Sequence, residues 1–149
     1  MRTTPAWSGA SLVNCFAEKA DGDKRDDFAV MAIPGLTVLG TTGSGPHRGS
    51  QMMGGTLYVV SGNYLYSVAS DWTATQLGPI FGTGPVRMAA NYSEVAIVDS
   101  DGTGYVYSGG VLTPGVMSDV ADVIYFDGYM VWLYKDSEQF IISALDDAL

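Results

Sequence analysis

The stretch Gly45-Pro46-His47-Arg48 recurs thirty-nine positions later as Gly84-Pro85-Val86-Arg87. After each copy, four segments typical of short β-strands follow in the same order, with Gly-bearing turns between them. The segments cover residues 51–53, 56–60, 64–68 and 73–77 in the first unit and 88–90, 94–98, 105–107 and 110–113 in the second. The chain therefore contains an internal repeat of four strands.

A third copy of the unit begins at Asp119. Apolar segments at residues 123–126 and 129–134 are joined by Asp127-Gly128, a dipeptide that favours a two-residue hairpin turn. A third segment follows at residues 139–143. We expect the fourth strand of this unit to be missing, because the sequence stops at Leu149.

Four short strands in every 35–40 residues or so is the spacing of a propeller blade. An immunoglobulin-like sandwich also has closely spaced strands, but it does not repeat itself. The sequence therefore predicts an all-β fold of β-propeller-like, four-stranded antiparallel blades. With about 2.5 blades it falls short of the roughly 4–8 that close a ring. We expect the remaining blades to come from a longer protein or from further copies.

The predicted domain organisation has two parts. Residues 1–44 form an N-terminal strand segment and linker, and residues 45–149 form blades at about 45–80, 84–115 and 119–149, as one domain of a longer protein. Within the first part, residues 12–16 and 28–32 read as strands around the charged loop 21–27, and Pro34-Gly35 predicts a type II turn. Either strand is a candidate to complete the last blade of a closed propeller.

Composition excludes several classes of protein. The formal net charge of −9 disfavours broad contact with a phosphate backbone, so we expect no sequence-specific nucleic-acid binding. Cys15 is the one cysteine of the sequence, which rules out an internal disulfide and a cysteine-based zinc site. Neither a signal peptide nor a membrane-spanning apolar run is present. The sequence therefore predicts a protein made in the cytoplasm, without a membrane partner.

Candidate catalytic and metal-binding groups are weak. Asp99 and Asp101 alternate before Gly102 as calcium ligands do, but the twelfth position of an EF-hand loop would be Gly110, and a turn explains them better. His47 has no nucleophile-elbow pattern nearby. The acids considered for glycoside hydrolysis read as turn residues; they are Asp119, Asp122, Asp127, Asp136 and Glu138. We predict no catalytic residue, no cofactor and no enzyme activity.

Structural residues are easier to identify. Arg48 and Arg87 hold equivalent places in the repeat, which predicts a shared structural role, such as pairing with an acid at a blade edge. Tyr66, Tyr107 and Trp132 lie in predicted strands and are expected to pack between blades. An incomplete propeller would leave one apolar face exposed, and such a patch marks an interaction surface.

The order of several motifs resembles one protein family. The motifs are Val13-Asn14-Cys15-Phe16, Pro34-Gly35-Leu36, Gly45-Pro46-His47-Arg48-Gly49, and the stretches 54–62, 127–131 and 139–143. Together they resemble the tail accessory proteins of short-tailed phages, known as packaged-DNA stabilisation proteins. The resemblance extends from about Ser11 to the end of the sequence and lies in the order and spacing of the motifs.

This resemblance implies a structural protein of the virion tail. Such proteins have a propeller domain without known catalytic residues, form a ring below the portal and its adaptor, and help to retain the packaged genome. It implies tail and portal proteins as partners and a homo-oligomeric state. Members of the family are several times longer, so this sequence corresponds to their N-terminal part. Two alternatives are a protein-binding propeller module unrelated to phage and a propeller hydrolase.

Overall fold

The computed structural model describes residues 15–19, 28–33 and 35–149. Contacts divide the chain into two compact units, Met1–Val38 and Leu39–Leu149. The sequence predicted a boundary between residues 44 and 45, a few positions after this division of the chain. That domain boundary stays a prediction.

In the first unit, β1 (Cys15–Lys19) pairs antiparallel with β2 (Phe28–Ala32), in a register that runs from Cys15 opposite Ala32 to Lys19 opposite Phe28. The strand predicted at 28–32 is thus confirmed. Of the strand predicted at 12–16, only the last two residues are described. The charged loop 21–27 and Pro34 of the predicted turn lie outside the described residues.

Three antiparallel sheets make up the second unit, and strands that follow each other in sequence are neighbours in each sheet. The first blade consists of β3 (His47–Met53), β4 (Thr56–Ser61), β5 (Tyr64–Val68) and β6 (Ala74–Pro79). The second consists of β7 (Arg87–Ala90), β8 (Glu94–Val98), β9 (Gly104–Ser108) and β10 (Val111–Met117). The third consists of β11 (Val120–Phe126), β12 (Tyr129–Tyr134) and β13 (Phe140–Ile142).

Turn chemistry sets the register of three hairpins. Gly54-Gly55 and Gly109-Gly110 join the first pair of strands of the first blade and the last pair of the second, with φ values of 55° and 80° and of 56° and 87°. The predicted Asp127-Gly128 turn is confirmed, with φ values of 49° and 88°. Positive φ at both loop residues is the type I′ geometry, whose twist matches that of the strands it joins.

The blades are arranged around their first strands. β3 lies beside β7, and β7 lies beside β11, so these three strands make the main contacts between sheets. Because successive sheets meet at their first strands, the blades fan out as they do in a propeller. The predicted all-β, propeller-like fold is confirmed.

Two apolar cores fill the spaces between blades. The first lies between the first and second blades and contains Tyr58, Val60, Leu65, Ile80, Val86, Val95, Ile97 and Tyr105. The second lies between the second and third blades and contains Ala89, Ala96, Val98, Val106, Val120, Val123, Met130, Trp132 and Ala148. Strand β8 supplies alternate residues to both cores, because successive side chains of a strand point to opposite faces. This explains its uninterrupted apolar run, Val95 to Val98.

The third blade has one covered and one open face. Val123, Met130 and Trp132 pack against the second blade. The opposite face, called the far face below, carries apolar side chains, which are Ile124, Phe126, Tyr129, Val131, Leu133, Phe140 and Ile142. All of these except half-buried Val131 are exposed. In the part of the chain that the structure describes, no helix is long and apolar enough to cross a membrane.

Candidate functional site

The polar centre of the structure is Arg48, whose side chain is only 6% exposed. It projects from the start of β3 toward the connection between the first two blades. Its guanidinium donates four hydrogen bonds to backbone carbonyls: Nε to Gly84 at 2.7 Å, Nη1 to Gly62 at 3.0 Å and to Ile80 at 3.1 Å, and Nη2 to Phe81 at 2.7 Å. One side chain thus joins the first blade to the start of the second.

The local sequence explains why an arginine fits here. Carbonyls in a connection that has left its sheet need other donors, and the five N–H groups of a guanidinium supply them in a rigid fork. Glycines let the segments approach. A Cβ on Gly84 would lie 2.7 Å from Ser100 Cβ, and a Cβ on Gly82, where φ is 74°, would lie 2.8 Å from Ser100 Oγ. Both approaches are closer than side chains tolerate.

A second network meets Arg48 at Phe81. The buried hydroxyl of Tyr105 donates to Asp99 Oδ2 at 2.9 Å and accepts from the Phe81 N–H at 3.2 Å. The backbone of Phe81 is therefore held at its N–H by Tyr105 and at its C=O by Arg48. Burial, reinforced by the hydrogen bond to Asp99, raises the pKa of Tyr105 above its ordinary value.

Asp99 is the hub of the turn that was considered for calcium. Its Oδ1 accepts from the amides of Asp101 and Thr103, each at 2.9 Å, and its Oδ2 accepts from Tyr105. Both carboxylate oxygens are thus engaged by protein donors, and the Asp101 side chain is exposed. Among the described residues, no group of three or more His, Cys, Asp or Glu side chains is placed to hold a metal ion. The geometry is that of an Asx turn.

The acids considered for hydrolysis are dispersed among turns and strand ends. Asp119, Asp127 and Asp136 have positive φ values of 57°, 49° and 51°, a conformation that Asp adopts readily in turns. Asp122 Oδ1 accepts from the amide of the next residue at 2.8 Å. Glu138 and His47 are exposed.

The three predicted interface aromatics occupy different places. Trp132 is fully buried between the second and third blades, lies 3.0 Å from the Cβ position of Gly104, and donates from Nε1 to the Ala148 carbonyl at 3.0 Å. Tyr107 is half-buried between the first two blades and tilts against Tyr58, with ring centroids 5.4 Å apart. Tyr66 is half-buried against Gly43, and its hydroxyl lies 3.5 Å from Gln76 Oε1.

The two repeat arginines have different surroundings. Whereas Arg48 is buried, Arg87 is exposed and lines a cavity of about 300 Å³ at the corresponding place between the second and third blades. Lys135 and Ser100 line the same cavity. Identical repeat positions therefore led to different contacts.

Sequence reasoning missed Tyr105 as a member of the polar network. A usable signal exists, since an aspartate at the end of β8 and a tyrosine six positions later can meet across the β8–β9 turn. It also missed that the far face would belong to the third blade.

Comparison with known protein families gives a match over nearly the whole chain. The model of a family described as phage stabilisation, bacteriophage P22 Gp10, β-propeller, matches residues 2–149. No curated protein sequence matches the chain.

Proposed function

Because the chain belongs to the phage stabilisation family of bacteriophage P22 Gp10 β-propeller proteins, we propose that it is a tail accessory protein. In this role it forms part of the hub ring that closes the portal vertex and helps to retain packaged DNA. Its partners are tail and portal proteins and further copies of itself, and its place is the virion tail, after synthesis in the host cytoplasm.

The observation that carries this proposal is the far face of the third blade. Ile124, Val131 and Ile142 form a row across its three strands, because each is the register partner of the next. Phe126 is 70% exposed and Phe140 is 60% exposed. Contiguous apolar patches of this kind are rare on monomeric proteins and mark interaction surfaces.

The repeat indicates what kind of surface covers the far face. The first blade turns Tyr58 and Val60 toward the second, and the second turns Ala96 and Val98 toward the third. Each blade thus presents an apolar face to the blade that follows, and the far face is the third member of this series. We propose that a second copy of this chain docks on it, sheet face against sheet face.

Light scattering coupled to size exclusion tests the self-association. The wild-type chain is expected to associate in a concentration-dependent manner, and the double variant Ile124→Glu/Ile142→Glu to elute as a monomer with an unchanged far-ultraviolet circular dichroism spectrum. Tyr92→Glu is the matched control, because Tyr92 is 88% exposed on the β7–β8 turn and is not one of the far-face residues. A monomeric wild-type chain at all concentrations would contradict the docking.

Retention of DNA is tested in a phage or inducible prophage that carries the gene. With the gene disrupted, heads are expected to fill with DNA and then lose it, which raises the fraction of DNA open to DNase. Wild-type complementation should restore retention, whereas the Ile124→Glu/Ile142→Glu variant should not. Normal retention in the disrupted strain would exclude the role.

A catalytic role is not part of the proposal. The acids considered for hydrolysis lie in turns and in strand β11, three of them at positive φ in turns, and an assembly protein needs complementary surfaces in place of convergent carboxylates.

A further inference from the structure

The cavity between the second and third blades lies where β7 and β11 begin and β8 and β12 end. Its volume of about 300 Å³ is large enough for a small ligand group. Val120 and Ala121 supply apolar wall, and Arg87, Lys135 and Ser100 supply hydrogen-bond donors. Apolar walls with a few converging polar groups are typical of ligand sites.

The charge of this cavity is opposite to that of the chain. The sequence has 7 basic residues against 16 acidic ones, yet two of the basic side chains line this one cavity. The acid in the wall, Asp99, has both oxygens engaged by the amides of its own turn and by Tyr105. These neutral donors hold the carboxylate in its own turn but do not cancel its charge. Counted against Asp99, the two cations Arg87 and Lys135 leave the lining of the cavity with one net positive charge.

Arg48 provides an internal comparison for Arg87. At the first blade interface, the guanidinium of Arg48 donates hydrogen bonds to four backbone carbonyls. At the second interface, the repeat-equivalent Arg87 is exposed and faces the cavity. Its donor fork is thus available to a group from outside the chain.

We propose that this cavity binds a small oxyanion, a carboxylate or phosphate group. The guanidinium of Arg87 matches the two oxygens of such a group, and the ammonium of Lys135 adds a second positive charge. The Ser100 hydroxyl accepts from the Gly84 N–H at 3.2 Å, so its own proton is available to donate into the cavity. This inference concerns a different surface from the far face and does not depend on the phage role.

Thermal unfolding of the 149-residue chain in inorganic phosphate or sodium acetate, each against sodium chloride of equal ionic strength, tests the site. An anion that binds only the folded state raises Tm as its concentration increases. The apparent Kd from this dependence is expected to weaken about tenfold or more in Arg87→Gln and in Lys135→Gln, as loss of a charge-assisted hydrogen bond implies. Lys19→Gln, which removes the same charge from the first unit, is the control and should keep the wild-type Kd.

The pattern of Tm responses shows whether the cavity binds an oxyanion and which kind. A response to phosphate alone identifies the phosphate group, and a response to acetate alone identifies the carboxylate. Equal weakening in all three variants would mean general charge screening and would overturn the inference. An equal Tm in phosphate, acetate and chloride would overturn it as well.

Discussion

Replacing Arg48 by methionine is the sharpest test of how the first two blades are held together. Methionine preserves much of the side-chain volume and removes all four hydrogen bonds of the guanidinium, three to the connection between the blades and one to Gly62 in the β4–β5 turn. The change leaves the carbonyls of Gly84, Gly62, Ile80 and Phe81 without this donor.

The expected loss follows from the burial of these bonds. Three of them are partly buried, so water can replace the lost donor, and each contributes about 0.5–1 kcal/mol. The bond to Ile80 is fully buried, and its carbonyl would be left unsatisfied at a cost of about 1–3 kcal/mol. Arg48→Met should therefore lower the free energy of unfolding by about 2.5–6 kcal/mol, which at about 4 °C per kcal/mol for a domain of this size lowers Tm by on the order of 10–25 °C.

Urea unfolding, followed by tryptophan fluorescence and circular dichroism, measures this loss as a change in midpoint at constant m value. The matched control is Arg87→Met, at the equivalent repeat position but on an exposed side chain. We expect it to change stability by less than about 0.5 kcal/mol in chloride buffer. Equal losses in the two variants, or a loss below about 1 kcal/mol in Arg48→Met, would refute the role assigned to the buried guanidinium.

Two further predictions concern the packing of the second blade. Gly104→Ala would place a Cβ 2.8 Å from Met117 Cβ and 3.0 Å from Trp132 Cζ3, so it should destabilise the chain by about 1–3 kcal/mol in urea, whereas Gly35→Ala, with open space around its Cβ, should not. Tyr105→Phe removes the hydroxyl between Asp99 and Phe81 and should cost about 1–3 kcal/mol. Because burial raises the pKa of Tyr105 in the folded state, its contribution is present below the unfolded tyrosine pKa of about 10 and is lost as pH rises through the higher folded value. Wild-type stability should accordingly fall more steeply above pH 10 or so than that of Tyr105→Phe, and parallel curves would contradict this linkage.

Local sequence was sufficient to predict the strands of the blades, their order and the turns that join them. Asp127-Gly128 and Gly109-Gly110 accept positive φ, which local sterics dictate whatever surrounds them. The blades were predicted from the spacing of these turns and from the repeated Gly-Pro-x-Arg stretch, without any knowledge of the contacts between blades. Such signals are readable because they act over a few residues of chain.

The contacts of each repeated residue depend on how the blades pack in three dimensions. Arg48 and Arg87 have the same local sequence, but the first meets four carbonyls and the second lines a cavity. The loop ahead of the second blade differs from the loop ahead of the third, and a guanidinium is buried only where enough acceptors surround it. The exposure of the far face has a similar origin. Strands β11 to β13 carry apolar residues on both faces, and how whole sheets stack determines which of these faces packs against the second blade. Side-chain surroundings arise from segments far apart in the chain, and the local pattern carries no record of them.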